Sequence, residues 1–346
     1  MAKYFIEDTT LTAMADSIRA KLGTSEKINA QSYADKMSEV YDAGYAKGAE
    51  ENSGGGINPE WTDWQYFSYE NSRNSLVAKL KYSDTSNGTF FGWMFYGCSS
   101  LTTIPEIDTS NGTNFTSMFY KCTGLQSVPI LDMGSAVVCT DMFYLCSNIK
   151  KLTFCNWDIS QLQKATSLFS SCKKLEEING FEGTLPAISC SSMFSTCFEL
   201  KEIPNINTQN VTSFSGTFNN CKRIQEVSLN TENATSFYLM FQLCESLKNA
   251  GTLNCSKATR SSDVYGIFAG CVNLESVIFD GEFPVFDNVN ILHQSEKITK
   301  ESLVSLINAL VNKKTTTCTV TIGSTNLAKL TDEQKAIATA KNIVLA

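Results

Sequence analysis

Histidine is almost missing from this chain: 346 residues carry a single one, His293. A general base has to stand beside a nucleophile or a substrate proton, and one imidazole outside the repeating part of the sequence reads as a surface residue. Positive charge is scarce as well, with 28 Lys and Arg against 35 Asp and Glu and a net charge of −7. Nucleic-acid binding calls for basic patches, so this balance argues against it. No stretch reaches 18 apolar residues, the length of a membrane-spanning helix. The first residues hold no apolar run of the kind found in a secretory signal, so the sequence predicts no such export route. Phosphate-binding glycine loops, zinc-protease helices and nucleophile elbows are absent, and no cofactor or metal is expected. These absences predict a protein that is not an enzyme.

What the chain does have is a phrase that returns eight times. A hydrophobic residue and Phe are followed by two variable residues, Cys, two more, then Leu or Ile: MFYGCSSL at Met94, MFYKCTGL at Met118, MFYLCSNI at Met142 and LFSSCKKL at Leu168. It continues as MFSTCFEL at Met193, TFNNCKRI at Thr217, MFQLCESL at Met240 and IFAGCVNL at Ile267. The phenylalanines are spaced by 24, 24, 26, 25, 24, 23 and 27 residues. Self-similarity at such a period is the signature of a solenoid, in which each unit buries its apolar face only by stacking on its neighbours.

The repeat accounts for most of the thirteen cysteines. Eight are the repeat cysteine; Cys139, Cys155 and Cys190 fall in columns where other copies place hydrophobes. A free Cys packs as a small hydrophobe, and no C-x2-C or C-x4-C pair offers zinc ligands. Disulfides between neighbouring copies are the competing reading, since stacked strands lie at about 4.8 Å, inside bridging range. Stacked side chains point in parallel, which favours a reduced, buried ladder and a reducing compartment.

Counting from the repeat Phe, apolar residues fall at −4, −1, 0 and +3, the spacing of a helical turn. The +9 column is mostly β-branched and predicts a strand. Pro105, Pro129 and Pro204 follow it in three copies and deny a ladder donor. One copy therefore reads as a short strand, a loop and a helical turn, an α+β solenoid of eight coils over 86–290. Glu177, Glu202 and Glu226 share column +8, a conceivable cation site that Lys174 and Lys201 would neutralise. Immediately after the repeat Phe come Tyr96, Tyr120 and Tyr144, a candidate recognition stripe; the plainer alternative is that they shield the turn.

This pattern resembles the BspA-like leucine-rich repeats, a bacterial group centred on Phe-x-x-Cys-x-x-Leu. The resemblance implies a surface or adhesive role.

The flanks read differently. An aromatic stretch within 53–85, Trp61, Trp64, Tyr66, Phe67 and Tyr69, predicts a lid on the first coil, after a linker ending at Gly56. After the last coil, 291–346 reads as a helix–strand–helix–strand cap. A helix opens at Thr299 with Leu303, Leu306, Ile307 and Leu310 on one face; a Thr-rich strand spans 316–322; a capping box at Thr331 starts the last helix. Residues 1–52 predict two helices, one striped by Leu11, Met14, Ile18 and Leu22, the other from Gln31 to Glu51. Gly44 and Gly48 permit close helix contact, although a fraying helix end explains them as well. The segments DTTLTAMADSIRAKLGTSEKI and VYDAGYAKG resemble structural proteins of phage tail and fibre regions, and the cap resembles those of Firmicutes prophages. That resemblance implies a virion component assembled in the host cytoplasm, attached to other virion proteins through 1–52, with threefold self-association as the expected oligomer, a homotrimer. Its repeats would meet a protein or glycan receptor on the host surface. The alternatives are a bacterial surface or secreted adhesin and an intracellular interaction scaffold.

Overall fold

The computed structural model describes residues 85–292 and 294–346. The helices expected in 1–52, the aromatic lid and His293 lie outside the described residues.

Successive copies of the phrase stack in parallel, each on the next. Strands β1 (Leu131–Asp132), β2 (Lys151–Cys155) and β3 (Glu177–Asn179) form one parallel sheet in that order. Strand β4 (Gly183–Thr184) pairs with β5 (Ile206–Asn207), and β6 (Asn249–Leu253) with β7 (Ser276–Phe279). Register follows the repeat: Leu152 pairs with Ile178, both in the +9 column. Where Pro105, Pro129 and Pro204 follow Ile104, Val128 and Ile203, that column is extended but outside any strand, as a missing N–H donor requires.

The phenylalanines form the axis of the core. Phe95, Phe119, Phe143, Phe169, Phe194, Phe218, Phe241 and Phe268 are buried and stack at 5.1–6.1 Å with interplanar angles of 15° or less.

The backbone around them is not the helical turn that the spacing predicts. In every copy the residues two before and two after the Phe have positive φ, for example Ser117 (52°) and Lys121 (59°), or Leu239 (52°) and Leu243 (60°). A right-handed helix has negative φ throughout, and each left-handed residue with a Cβ costs about 1–2 kcal/mol. The alternation aims every second N–H at the following copy: Trp93 N donates to Thr116 O (2.9 Å), Phe95 N to Met118 O (2.8 Å) and Gly97 N to Tyr120 O (2.6 Å). The N–H groups between them close four-residue turns, such as Tyr96 N to Trp93 O at 2.9 Å. Inter-copy hydrogen bonds offset the local strain, and −4, −1, 0 and +3 still face the core.

The register also runs one step further than the eight phrases. Ile291, Leu292, Ser295 and Ile298 are buried, Ser295 N donates to Leu292 O at 2.9 Å and Ile298 N to Ser295 O at 3.5 Å. These are the contacts of Cys on Phe and of Leu on Cys elsewhere, with Leu in place of Phe and Ser in place of Cys. The cap then adds β8 (Phe283–Val285), β9 (Val289–Asn290), α1 (Lys300–Ala309), β10 (Leu310–Asn312), β11 (Cys318–Thr321), α2 (Ser324–Leu327), α3 (Asp332–Ala340) and β12 (Ile343–Leu345). Thr299 caps α1 by accepting from Ser302 N, and the capping box of Thr331 and Gln334 opens α3. Sheet order here is β12-β11-β9, with β10 on β8.

One glycine is demanded by close approach. Gly180, just after β3, has φ +74°, and an added Cβ would lie 2.2 Å from the Phe154 carbonyl oxygen. Gly180→Ala should cost about 2–4 kcal/mol, from left-handed strain and backbone displacement together. Urea denaturation of the two proteins measures it, and a loss under about 1 kcal/mol would show that the two copies separate there without cost.

Candidate functional site

The structure brings the three predicted tyrosines together. Position +1 lies on the outer side of the left-handed turn, so Tyr96, Tyr120 and Tyr144 are half-buried and stacked, at 4.7 Å (5°) and 4.9 Å (12°). Their ring faces are largely taken up by one another, so the stripe presents ring edges and a row of phenol groups. The Lys121 ammonium sits 5.3 Å from the Tyr120 centroid, a cation–π contact. Burial, with the nearby Asp141 carboxylate, raises the Tyr96 hydroxyl above its usual pKa. Asp141 is itself raised by burial, against a hydrogen bond from Ser167.

A second aromatic pair was not legible as a site. Tyr238 and Tyr265, each three residues before a repeat Phe, stack at 6.0 Å and are 42% and 53% exposed. Aligning the −3 column would have found them, since other copies hold Gly, Ser or Thr there.

The cysteines do more than pack. In seven successive copies the thiol donates to the carbonyl of the preceding copy's Phe: Cys122 Sγ to Phe95 O at 2.9 Å, Cys172 Sγ to Phe143 O at 3.1 Å, Cys271 Sγ to Phe241 O at 2.9 Å. Ser295 Oγ takes the same role on Phe268 O at 3.4 Å. All thirteen cysteines are free. Burial pushes Cys190 and Cys244 up to about 12, and Cys197 and Cys221 well above the ordinary thiol value. Burial keeps these thiols neutral, so they are not nucleophiles.

The +8 carboxylates do not assemble. Glu177 pairs with Lys151 at 3.0 Å, whereas Lys174 bonds to Asn148. No group of three or more His, Cys, Asp or Glu able to hold a metal occurs among the described residues. No helix among them is long and apolar enough to cross a membrane.

Stacked short copies, joined by parallel bridges and clamped by thiols, define a mostly strand-and-coil repeat protein. The chain belongs to the DUF285 family, described as a Mycoplasma protein of unknown function, which it matches over residues 64–181 and 188–299. No curated protein matches it. Among solved structures it is similar to a leucine rich cell surface protein from Faecalibacterium prausnitzii A2-165. The identity is 16% over 66% of this chain and 76% of that one, with a TM-score of 0.28. It is also similar to a leucine-rich repeat protein from Bacteroides ovatus ATCC 8483, at 15% identity over 69% and 72% of the two chains, with a TM-score of 0.29.

Proposed function

We propose that this is a non-enzymatic recognition protein of the surface-adhesin kind, whose eight phrases form one solenoid rod on the order of 40 Å long. The observation that carries the reading is the tyrosine stack: three phenol groups held on the outside of a fixed backbone, in a residue type favoured at recognition surfaces. The fixed backbone matters because the side chains are ordered before any ligand arrives, which lowers the cost of binding. The adhesin reading draws on the BspA-like resemblance of residues 86–290, most of the described chain. A virion tail, baseplate or fibre component is the second reading; it draws on the phage-like segments within 1–52, through which the chain would attach to other virion proteins as a homotrimer.

The test of recognition uses the full chain, fluorescently labelled, on intact bacterial and epithelial cells. The Tyr120→Ser, Tyr144→Ser double variant should bind at least fivefold less, measured well below the melting temperature of either protein. Undiminished binding would remove the stripe from the reading. Surface proteolysis of the producing cell and mass spectrometry of purified phage particles separate the two placements. Light scattering of the full chain against one starting at Ile57 tests trimer formation through 1–52.

A further inference from the structure

A second surface feature lies on the opposite side of the repeat cysteine, at positions +4 to +7, where the chain turns from Cys toward the strand. Here three consecutive copies border a groove of about 490 Å³ lined by Phe198, Glu199, Lys201, Lys222, Arg223, Gln225 and Ser246. Phe198 occupies the +4 position, where other copies carry Ser, Thr, Lys, Glu or Val. It is half-buried and has an ammonium on its ring from each side in sequence: Lys173 at 5.8 Å and Lys222 at 5.6 Å from the centroid. Cation–π attraction of this kind fixes flexible lysines without neutralising them.

Two of the groove's cations are paired, Arg223 with Glu199 and Lys222 with Glu245, both at 2.9 Å. Lys201 is exposed and has no ion-pair partner among the described residues. Among the lining residues three cations, Lys201, Lys222 and Arg223, face one carboxylate, Glu199, a local positive excess on a chain whose net charge is −7. Glu202 and Glu226 occupy the adjoining column but are not among the lining residues.

We propose that this groove binds an acidic saccharide, a sugar bearing a carboxylate. A bare inorganic anion would be drawn by Lys201 but would leave the amide of Gln225 and the hydroxyl of Ser246 unused. A sugar acid uses all three, with its carboxylate on Lys201 and its hydroxyls donating to the Gln225 carbonyl oxygen while accepting from Ser246. The volume suits one or two sugar rings, within the usual size of small-ligand sites. The Phe198 ring, with the Lys173 and Lys222 ammoniums over it, borders the groove and holds those two cations in place.

The site is independent of the tyrosine stripe, so each reading can fail alone. Isothermal titration of the full chain with digalacturonic acid should show saturable binding that weakens several-fold between 20 and 200 mM salt, as exposed charge pairing requires. Lys201→Gln should weaken it at least tenfold with the melting temperature unchanged; Tyr120→Ser should leave it unchanged. The fully methyl-esterified disaccharide should bind at least tenfold more weakly. No saturable binding, equal binding of the ester, or an unaffected Lys201→Gln would each overturn the proposal. Triglutamate binding as tightly as digalacturonate would overturn it too, assigning the groove to acidic peptide.

Discussion

Phe169→Ala is expected to lower the unfolding free energy by about 3–5 kcal/mol, the range for truncating a buried aromatic in a core that cannot collapse. Phe169 is fully buried, stacked on Phe143 at 6.1 Å and on Phe194 at 5.6 Å. It also receives the edge of Phe181 at 5.5 Å and the tilted ring of Phe154 at 6.3 Å. Its neighbours cannot move into the gap, because the backbone on both sides is tied across copies, with Phe143 N on Leu168 O and Phe169 N on Met193 O, each at 2.9 Å. Phe194→Ala should lie in the same range. Lys150→Ala, at an exposed position, should stay within about 0.5 kcal/mol of the parent. Urea denaturation at constant m-value measures all three. Stabilities that agree within about 1 kcal/mol would mean that the phenylalanine column is not the core.

How much of this could be read in advance depends on what each residue answers to. The columns at −4, −1, 0, +3 and +6 answer to burial, and burial is written in hydrophobicity, so the repeat and its period were legible. The hand of the backbone was not. Ser117, Lys121, Asp141 and Leu145 are ordinary residues at left-handed φ, held there by hydrogen bonds to carbonyls 23 or 25 residues away, and helical spacing and alternating-hand spacing bring the same side chains inward. The thiol clamp was half legible: Cys read as a small hydrophobe, while its donor role shows only once the Phe carbonyl of the previous copy is placed beside it. Ser295 supplied the missing clue, since a hydroxyl at the Cys position makes sense as a donor and not as a hydrophobe. Matching letters ended the phrases at Leu274; matching chemistry carries them on to Leu292 and Ser295.

A polar column went unread for the same reason. Asp108, Asp132, Asp158, Asn207, Asn230 and Asn254 each accept, through a side-chain oxygen, the N–H two residues on. These Asx turns bend the chain where one copy passes toward the next. Their residue types recur, yet the changing spacing between copies slides them by a position or two and blurs the column. The tyrosine stripe was legible because it adjoins the best-aligned residue of the repeat. The groove was not, because its lining comes from three copies and only Phe198 departs from its column.

The protein is expected to unfold on mild alkalinisation, within about one pH unit above 9. Ten buried thiols, Cys122, Cys139, Cys146, Cys172, Cys190, Cys197, Cys221, Cys244, Cys255 and Cys271, are all raised, chiefly by burial. In the unfolded chain each returns to an ordinary thiol value near 8.5. Below that pH both states hold the proton and the thiols have no effect on the pH dependence. Above it the unfolded chain loses protons that the folded chain keeps, so stability falls as pH rises, until the folded thiols themselves ionise at about 12 or beyond, as for Cys190 and Cys244. Each thiol then subtracts about 1.4 kcal/mol per pH unit, and ten together about 14. A domain stability of about 5–15 kcal/mol does not withstand that slope for long. Melting temperatures at pH 7, 8, 9 and 9.5 should therefore be level at first and then drop steeply, before tyrosine and lysine titrate in the unfolded chain. At pH 7 iodoacetamide should reach the less buried Cys155 in the native protein, and the ten only after denaturation. A melting temperature at pH 9.5 within a few degrees of the value at pH 7 would show that burial does not hold these ten thiols protonated in the folded protein.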